Sequence, residues 1–192
     1  MSLSSVLREV HACQICSADL PFGPRPVLQL ASSARLLIVG QAPGSKVHQS
    51  GIPWDDASGD RLRDWLKLDR SVFFDAARIA ILPMGLCYPG AGENGGDNPP
   101  RPECAPFWHA RLFRFLPNIQ LTLLIGQYAQ RHYLASKRKR SMTETVQAFL
   151  EYTPQFFPLP HPSWRSAIWM RKHPWFENVI LPKLQKSVRK LI

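Results

Sequence analysis

Four short runs of apolar residues limit the folds open to this chain more than any other feature of its sequence. Each run is apolar at nearly every position and does not alternate between apolar and polar residues, which is typical of strands covered by helices on both faces. The runs are Arg35 to Gly40, Arg78 to Pro83, Leu121 to Gly126 and Gln155 to Leu159. They predict a central four-stranded, mainly parallel sheet.

Helix-like segments separate these runs at 59–68, 103–116, 128–135 and 143–152, and a closing amphipathic helix is expected from about Pro174 to Leu191, with a bend at Pro182. Strands that alternate with helices indicate an α/β protein, here a three-layer α/β/α sandwich. A length of 192 residues suits one domain, 1–192, of which residues 1–34 form an N-terminal arm. In such sheets, ligands bind beyond the carboxyl ends of the strands.

Basic residues outnumber acidic ones, 24 to 14, which gives the chain a net charge of +10. This surplus favours a nucleic acid as partner, because lysine and arginine displace counterions from a phosphate backbone; an ordinary basic surface is the alternative. The run Lys137 to Arg140 is either a set of phosphate contacts or a solvated turn. No run approaches the roughly 18 apolar residues of a membrane span, and residues 1–12 contain no apolar signal core. We therefore expect a cytoplasmic protein with no membrane role.

The four cysteines have a spacing that suits one metal site. Cys13 and Cys16 form a Cys-x-x-Cys pair, which binds a metal centre with little backbone strain, and Cys87 and Cys104 could complete a four-thiolate shell. In a reducing compartment, spaced cysteines bind metal more often than they form disulfides. Ligand type alone does not separate zinc from an iron–sulfur cluster, and free thiols are the remaining alternative.

Polar residues follow the first predicted strand. The loop 40–44, GQAPG, is neither a GxGxxG fingerprint nor a Walker loop, so nucleotide hydrolysis has little support. In the segment 51–59, GIPWDDASG, we expect Asp55 to cap the following helix and Asp56 to position or polarise a water molecule beside the pocket. Trp54 suits either the core or a platform for a ligand.

A loop after the last predicted strand, Pro160 to Arg165, joins a histidine to aromatic and cationic residues. His161 lies between two prolines at the end of a strand, a position that favours a functional role over a structural one. Trp164 and Arg165 are of the types that a DNA-wedging and phosphate-clamping surface requires. For Trp169, burial in the core is an equal alternative.

Taken together and in this order, the GQAPG loop, the GIPWDDASG segment, the HPS triplet and the four cysteines resemble the uracil-DNA glycosylase superfamily. Their separations resemble the bacterial and archaeal branch that carries a [4Fe–4S] cluster, which includes the thermophile type-a and type-b enzymes. The resemblance spans the chain from Cys13 to Ser163 and implies a monofunctional DNA N-glycosylase of base excision repair. Such a hydrolase extrudes a deaminated base from DNA and cuts its N-glycosidic bond.

The resemblance also implies roles for individual residues. Asp56 matches the carboxylate that activates water, and His161 matches the histidine that stabilises the oxygen of the leaving base. Trp164 and Arg165 lie in the loop that fills the hole left in the base stack. Trp54 stands in place of a stacking phenylalanine. The substrate-binding positions are Gln41, Ala42, Trp54, Met84, Gly85 and Ser163, and the cluster ligands are Cys13, Cys16, Cys87 and Cys104.

Two positions depart from the family pattern. Ala42 replaces the water-activating aspartate of the GQDPY form, so catalysis cannot depend on this position. Pro83 stands about where the iron–sulfur branch has an asparagine that reads the edge of the base, so the substrate is uracil or another deaminated base, such as hypoxanthine or xanthine. The expected readers are instead the backbone of Met84 and Gly85 or the side chains of Tyr88 and Asn98.

Two other functions remain open. A catalytically weak or inactive module of the same fold would bind damaged DNA without cutting it; the missing asparagine favours this function, and the retained Asp56 and His161 oppose it. A structural zinc protein with no DNA role is the third hypothesis. As an enzyme, the protein is expected to act on DNA as a monomer.

Overall fold

The structure, a computed structural model, describes residues 2–93 and 95–192. Its centre is a four-stranded sheet in the order β2-β1-β3-β4, and all three strand pairings are parallel. The strands are β1 Leu36–Val39, β2 Ile79–Ile81, β3 Leu121–Ile125 and β4 Phe156–Leu159. Each lies within one of the four apolar runs, so the predicted parallel sheet is confirmed.

Both faces of the sheet are buried, which explains why the strands contain no polar alternation. Leu36 and Ile38 of β1 belong to one apolar core, whereas Leu37 and Val39, between and after them, belong to the other. Successive side chains of a strand point to opposite faces, so a strand between two cores is apolar at every position.

Helices cover the two faces and complete a three-layer α/β/α sandwich, as predicted. Within the described residues they are α1 Leu3–His11, α2 Ser45–Ser50, α3 Ala57–Leu66, α4 Arg70–Phe73, α5 Cys104–Phe113, α6 Gly126–Leu134, α7 Met142–Gln147, α8 Trp164–Lys172 and α9 Leu181–Arg189. None of these helices is long and apolar enough to cross a lipid bilayer. Four of them, α1, α2, α4 and α8, were not predicted from the sequence.

The closing segment is helical, as predicted, but it is not a single α-helix. Phe176–Ile180 is π-helical, and α9 begins directly after it, with Pro182 in its first turn. Proline is well tolerated there, because the first N–H groups of a helix have no partner within the helix. Pro182 therefore lies at the position in α9 where proline is best tolerated.

The N-terminal arm packs on the sandwich through two short elements. Val6 and Val10 of α1 are buried against the core beneath α5. Further along, Gln29 exchanges backbone hydrogen bonds of 2.9 and 2.6 Å with Ile81 of β2. The arm thereby brings Cys13 and Cys16 to the side of the molecule where α5 begins with Cys104.

Candidate active site

A cleft at the carboxyl ends of the strands brings together the loops that follow β1, β2 and β4. It contains a cavity of about 80 Å³, lined among others by Gln41, Trp54, Asp56 and His161. On this scale one water molecule needs roughly 10–15 Å³, so the cavity holds a group several heavy atoms in size. This is the end of a parallel sheet where ligands bind.

A larger cavity, of about 830 Å³, lies at the opposite end of the sheet, between the start of β3 and α9. Its described lining residues include Phe149, Phe157 and Lys183 but no carboxylate and no imidazole. Acid–base chemistry needs a group that can accept a proton from water near neutral pH. The smaller cleft has two kinds of such group, and we therefore take it as the candidate active site.

The carboxylate of Asp56 both holds a helix and faces the cleft. Asp56 is the N-cap of α3, and its Oδ1 accepts the backbone N–H of Gly59 at 2.8 Å. The preceding Asp55 forms an ion pair with Arg70 at 2.6 Å. The prediction that Asp55 caps the helix is therefore wrong, because Asp56 is the N-cap and Asp55 is paired with Arg70.

A small space at Gly44 separates Asp56 from a second carboxylate, Asp97. A Cβ atom placed on Gly44 would lie 3.3 Å from Asp97 Oδ2 and 3.9 Å from Asp56 Oδ2. Burial raises the pKa of Asp97, the negative charge of Asp56 raises it further, and a hydrogen bond from the Tyr88 hydroxyl opposes both effects. Asp97 was not predicted from the sequence, since a single aspartate beside a proline-rich loop carries no distinguishing signal.

Trp54 forms one wall of the cleft in a strained backbone conformation. Its φ is 60°, a left-handed value that non-glycine residues rarely adopt and that is common at functional sites. Buried Arg63 holds the Trp54 carbonyl through a 3.2 Å hydrogen bond. The indole ring lies so close to Gly40 that a Cβ atom there would be 2.7 Å from the ring, and its centroid is 5.7 Å from that of His161.

His161 enters the cleft from the loop after β4. Burial lowers its pKa, although the nearby Asp56 carboxylate opposes this shift, so the ring is held in its neutral form with one N–H donor. Arg61 of α3 fixes the loop by donating hydrogen bonds to the carbonyl oxygens of Pro162, at 3.3 Å, and Ser163. Helix α3 therefore positions both Asp56, at its start, and His161, through Arg61.

Some predicted substrate-binding residues lie outside the cleft. Gln41 and Ala42 line it, but the backbone N–H groups of Met84 and Gly85 donate to the carbonyls of Gly40 and Gln41 at 3.0 and 2.9 Å. These N–H groups fasten two loops together and are not free to donate to a base, and neither residue is among those that line the cleft. Ser163 is the N-cap of α8 and is not among the lining residues.

Buried His109 supports the floor of the cleft from α5, a role that the sequence analysis did not predict. Its Nε2 lies 3.0 Å from the Pro83 carbonyl, and its Nδ1 lies against the Tyr133 hydroxyl. A carbonyl oxygen only accepts, so Nε2 carries the proton and Nδ1 accepts from Tyr133. Burial lowers the pKa of His109 to about 4, which keeps this arrangement neutral.

Beside the cleft, α8 presents an exposed aromatic residue and a cation. Trp164 is 69% exposed, and the Arg165 guanidinium lies 5.2 Å from the centre of its ring. Arg165 also approaches the carbonyl of Gly95, at 3.5 Å. Trp169, by contrast, packs against the core and donates from Nε1 to Thr143 Oγ1 at 2.9 Å. Of the two tryptophans, only Trp164 is available to a partner.

The four cysteines, all free thiols, line one cavity of about 20 Å³. Within residues 2–93 and 95–192, no group of three or more Cys, His, Asp or Glu side chains has the arrangement of a formed metal site. Burial raises the pKa of Cys87 to about 11 and of Cys104 to about 12. Binding a metal here would therefore release protons.

Backbone N–H groups in this cavity point at the sulfur atoms. Leu86 donates to Cys104 Sγ at 3.3 Å, and the Arg25 N–H donates to Cys87 and lowers its pKa against the larger effect of burial. Such N–H···S bonds stabilise thiolates, the form in which cysteine binds metal. The donor set and its surroundings fit a four-thiolate site.

A comparison with protein families gives one match. The sequence model of the uracil DNA glycosylase superfamily matches residues 29–185. This range includes the loops of Gln41, Asp56 and His161 as well as Cys87 and Cys104. It begins after Cys13 and Cys16, so the match itself says nothing about the cysteine site.

Proposed function

This chain belongs to the uracil DNA glycosylase superfamily, and we propose that it is a monofunctional DNA glycosylase that excises uracil or another deaminated base. The observation that carries the proposal is the convergence of Asp56, His161 and Trp54 on one cleft at the carboxyl ends of the strands. A carboxylate can position a water molecule and accept its proton, a neutral imidazole can donate to the leaving base, and an aromatic wall can stack on that base.

In the proposed reaction, the damaged nucleotide leaves the base stack and its base enters the cleft beside Trp54. The bond between C1′ and the base nitrogen breaks, and its electron pair stays with the base. The neutral ring of His161 donates its N–H to the base oxygen on which the negative charge develops. Asp56 Oδ2 accepts a hydrogen bond from the water that attacks C1′, takes up its proton, and leaves an abasic site.

Trp164 and Arg165 are proposed to hold the opened duplex. An exposed indole at the mouth of the cleft has the size and apolar character to occupy the gap left by the extruded nucleotide. The adjacent guanidinium, stacked near the ring, offers hydrogen bonds to a phosphate.

For the cysteine site we propose a [4Fe–4S] cluster bound by Cys13, Cys16, Cys87 and Cys104, as in the iron–sulfur branch of the superfamily, with zinc as the alternative. When bound, the cluster would act as a structural anchor between the N-terminal arm and the start of α5, since the hydrolysis transfers no electrons. Iron, sulfide and zinc contents of anaerobically purified protein test this. Four iron atoms with four sulfides per chain and a brown colour are expected. One zinc per chain would show that the site binds zinc and not a cluster. Protein with neither metal would overturn the proposed site.

The enzyme hypothesis is tested with duplex and single-stranded oligonucleotides that contain uracil, hypoxanthine or xanthine, followed by strand cleavage at abasic sites. Wild type is expected to cut at least one of them, and Asp56→Asn and His161→Ala each to lose at least about tenfold in rate. If wild type cuts none of the lesions but binds DNA with a steep salt dependence, the protein is a DNA-binding module and the proposal is wrong.

A further inference from the structure

The groups expected to read the base in place of the missing asparagine are occupied elsewhere. The N–H groups of Met84 and Gly85 bind loop carbonyls, and Pro83 has no donor. The Asn98 side chain donates to the carbonyls of Pro89 and Ala91, both at 3.2 Å. Gln41 uses its Nε2 to bind the Asn98 carbonyl at 3.0 Å. Few donors therefore remain in these groups, and Asp97 is a further polar side chain that lines the cleft.

Asp97 is held at the cleft by a tight loop. Ala91 and Asp97 form an antiparallel bridge, and the Asn98 N–H donates to the Gly90 carbonyl at 2.9 Å. The Gln41 bond to Asn98 then fastens this loop to the loop after β1. As a result, Asp97 lines the same cavity as Asp56, Trp54 and His161.

The surroundings of the Asp97 carboxyl disfavour its charged form. Across the space at Gly44 stands the Asp56 carboxylate. The hydroxyl of Tyr88, itself buried and packed against His48, donates a hydrogen bond to Asp97 and only partly offsets the effects of burial and of Asp56 on its pKa. Arg165, the nearest cation on α8, approaches the backbone of Gly95 and Gly96 and forms no ion pair with Asp97 within the described part of the chain. The Asp97 side chain is still open to solvent, and a base in the cleft would cover it.

A neutral carboxyl group has the same pattern of hydrogen bonding as the amide of asparagine. Its O–H donates while the adjacent C=O accepts, whereas an ionised carboxylate only accepts. Uracil, hypoxanthine and xanthine each present a carbonyl next to a ring N–H, which such a pair matches with two hydrogen bonds.

We propose that Asp97 is the specificity-determining residue, which in its neutral form recognises the adjacent carbonyl and N–H of a deaminated base. This inference rests on the proposed glycosylase function and names its substrate class, bases that carry this lactam edge. Tyr88 donates to one carboxyl oxygen and so favours the proton on the other. That fixed orientation discriminates against cytosine, whose edge has donor and acceptor reversed.

The test compares Asp97→Asn with Asp97→Ala on uracil, hypoxanthine and cytosine oligonucleotides, with kcat and KM measured between about pH 5 and about pH 9. Wild-type kcat/KM for uracil is expected to fall as the pH rises and Asp97 ionises. Asp97→Asn keeps activity and loses this alkaline fall, because an amide reads the same edge and does not titrate. Asp97→Ala loses at least about tenfold, since the polar edge of the base is left unpaired.

The matched control is Asp64→Asn, the same chemical change on the exposed face of α3, which is expected to leave the rate and the pH profile unchanged. Tyr88→Phe is expected to raise cutting of cytosine relative to uracil. The inference is overturned if Asp97→Ala retains the wild-type ratios of kcat/KM among the bases. It is also overturned if this variant loses kcat equally on all lesions with unchanged KM, because that result indicates that Asp97 acts with Asp56 on the water molecule. Wild type that cuts no lesion overturns both the inference and the glycosylase function.

Discussion

At the scale of single residues, Asp56 has two tasks that belong to different oxygen atoms. Oδ1 accepts the Gly59 N–H at the start of α3, and Oδ2 faces the space at Gly44. The helix therefore fixes the direction of the oxygen that is proposed to bind water. Either of the adjacent carboxylates, Asp55 and Asp56, can cap a helix, and only the path of the backbone decides between them. For this reason the sequence alone led us to assign the cap to Asp55.

Substitutions at Asp56 separate these tasks. Asparagine caps a helix about as well as aspartate, so Asp56→Asn should lose activity with little change in the free energy of unfolding, whereas Asp56→Ala should lose activity and about 1 kcal/mol of stability. Urea denaturation and single-turnover cleavage measure the two effects. Equal stability of both variants would show that the 2.8 Å bond to Gly59 does not stabilise the fold.

Gly44 tests the space between the two carboxylates. Alanine fits its backbone, where φ is −83°, but the added methyl carbon would lie 3.3 Å from Asp97 Oδ2 and 3.9 Å from Asp56 Oδ2. We expect Gly44→Ala to lower kcat at least about tenfold by displacing a positioned water. Because glycine is the better N-cap for α2, a stability loss of up to about 1 kcal/mol is expected as well.

The control for this variant is Ser45→Ala, next to Gly44 on exposed α2, which should leave kcat unchanged. Wild-type kcat in Gly44→Ala would mean that no water needed for the reaction occupies this space.

At the scale of elements, α5 connects the cysteine site to the cleft. Its first residue is Cys104, and one turn further on His109 holds the Pro83 carbonyl at the floor of the active site. A change in the cysteine site that moves α5 would therefore move the segment after β2. This coupling joins residues far apart in the chain, and no local pattern in the sequence predicts it.

His109 gives the fold a defined pH dependence. Its pKa is lowered to about 4 in the folded protein from an ordinary 6.5, so the unfolded chain takes up a proton before the folded chain does. The His109 contribution is complete above about pH 6.5 and is lost as the pH falls towards about 4, with a total near 3 kcal/mol. Urea denaturation of wild type and His109→Gln across this range measures it.

We expect the stability difference between wild type and His109→Gln to shrink as the pH falls, because glutamine does not titrate. His11→Gln, a change on the exposed end of α1, is the control and should leave the pH dependence as in wild type. Parallel curves for wild type and His109→Gln would show that His109 is not held neutral by the fold.

Strands and helices could be predicted from the sequence where their buried residues leave an apolar pattern. The four strands were predictable because burial on both faces leaves continuous apolar runs, such as Leu36–Val39. Helix α8 was missed because Ser166 is its only buried residue, so it carries no apolar stripe for a periodicity to reveal. The cleft residues Asp56 and His161 could be proposed from their loops, but Asp97 and Arg61 act through contacts that only the folded chain brings about.

At the scale of the whole molecule, basic residues lie at both ends of the sheet, but only those at one end lie near the candidate active site. The chain has a net charge of +10, and basic residues stand at both ends. Arg165 of α8 approaches Gly95 beside the active-site cleft, and Arg171 follows in the last turn of the same helix. Lys183 and Lys186 of α9 line the cavity at the far end. Net charge alone would attract DNA to either end, but only one end has the site that the DNA must reach.

Two double variants with the same change in charge distinguish these ends. Each phosphate contact that is lost lowers the slope of log affinity against log salt concentration by about 0.9. Arg165→Gln with Arg171→Gln should therefore flatten the salt dependence of binding to an abasic-site duplex by about 1–2 units, whereas Lys183→Gln with Lys186→Gln should leave it unchanged. Fluorescence anisotropy across a salt series measures both. Equal flattening by the two pairs would mean that the DNA responds to the overall charge of the protein, and that the surface around Trp164 is not where the duplex lies.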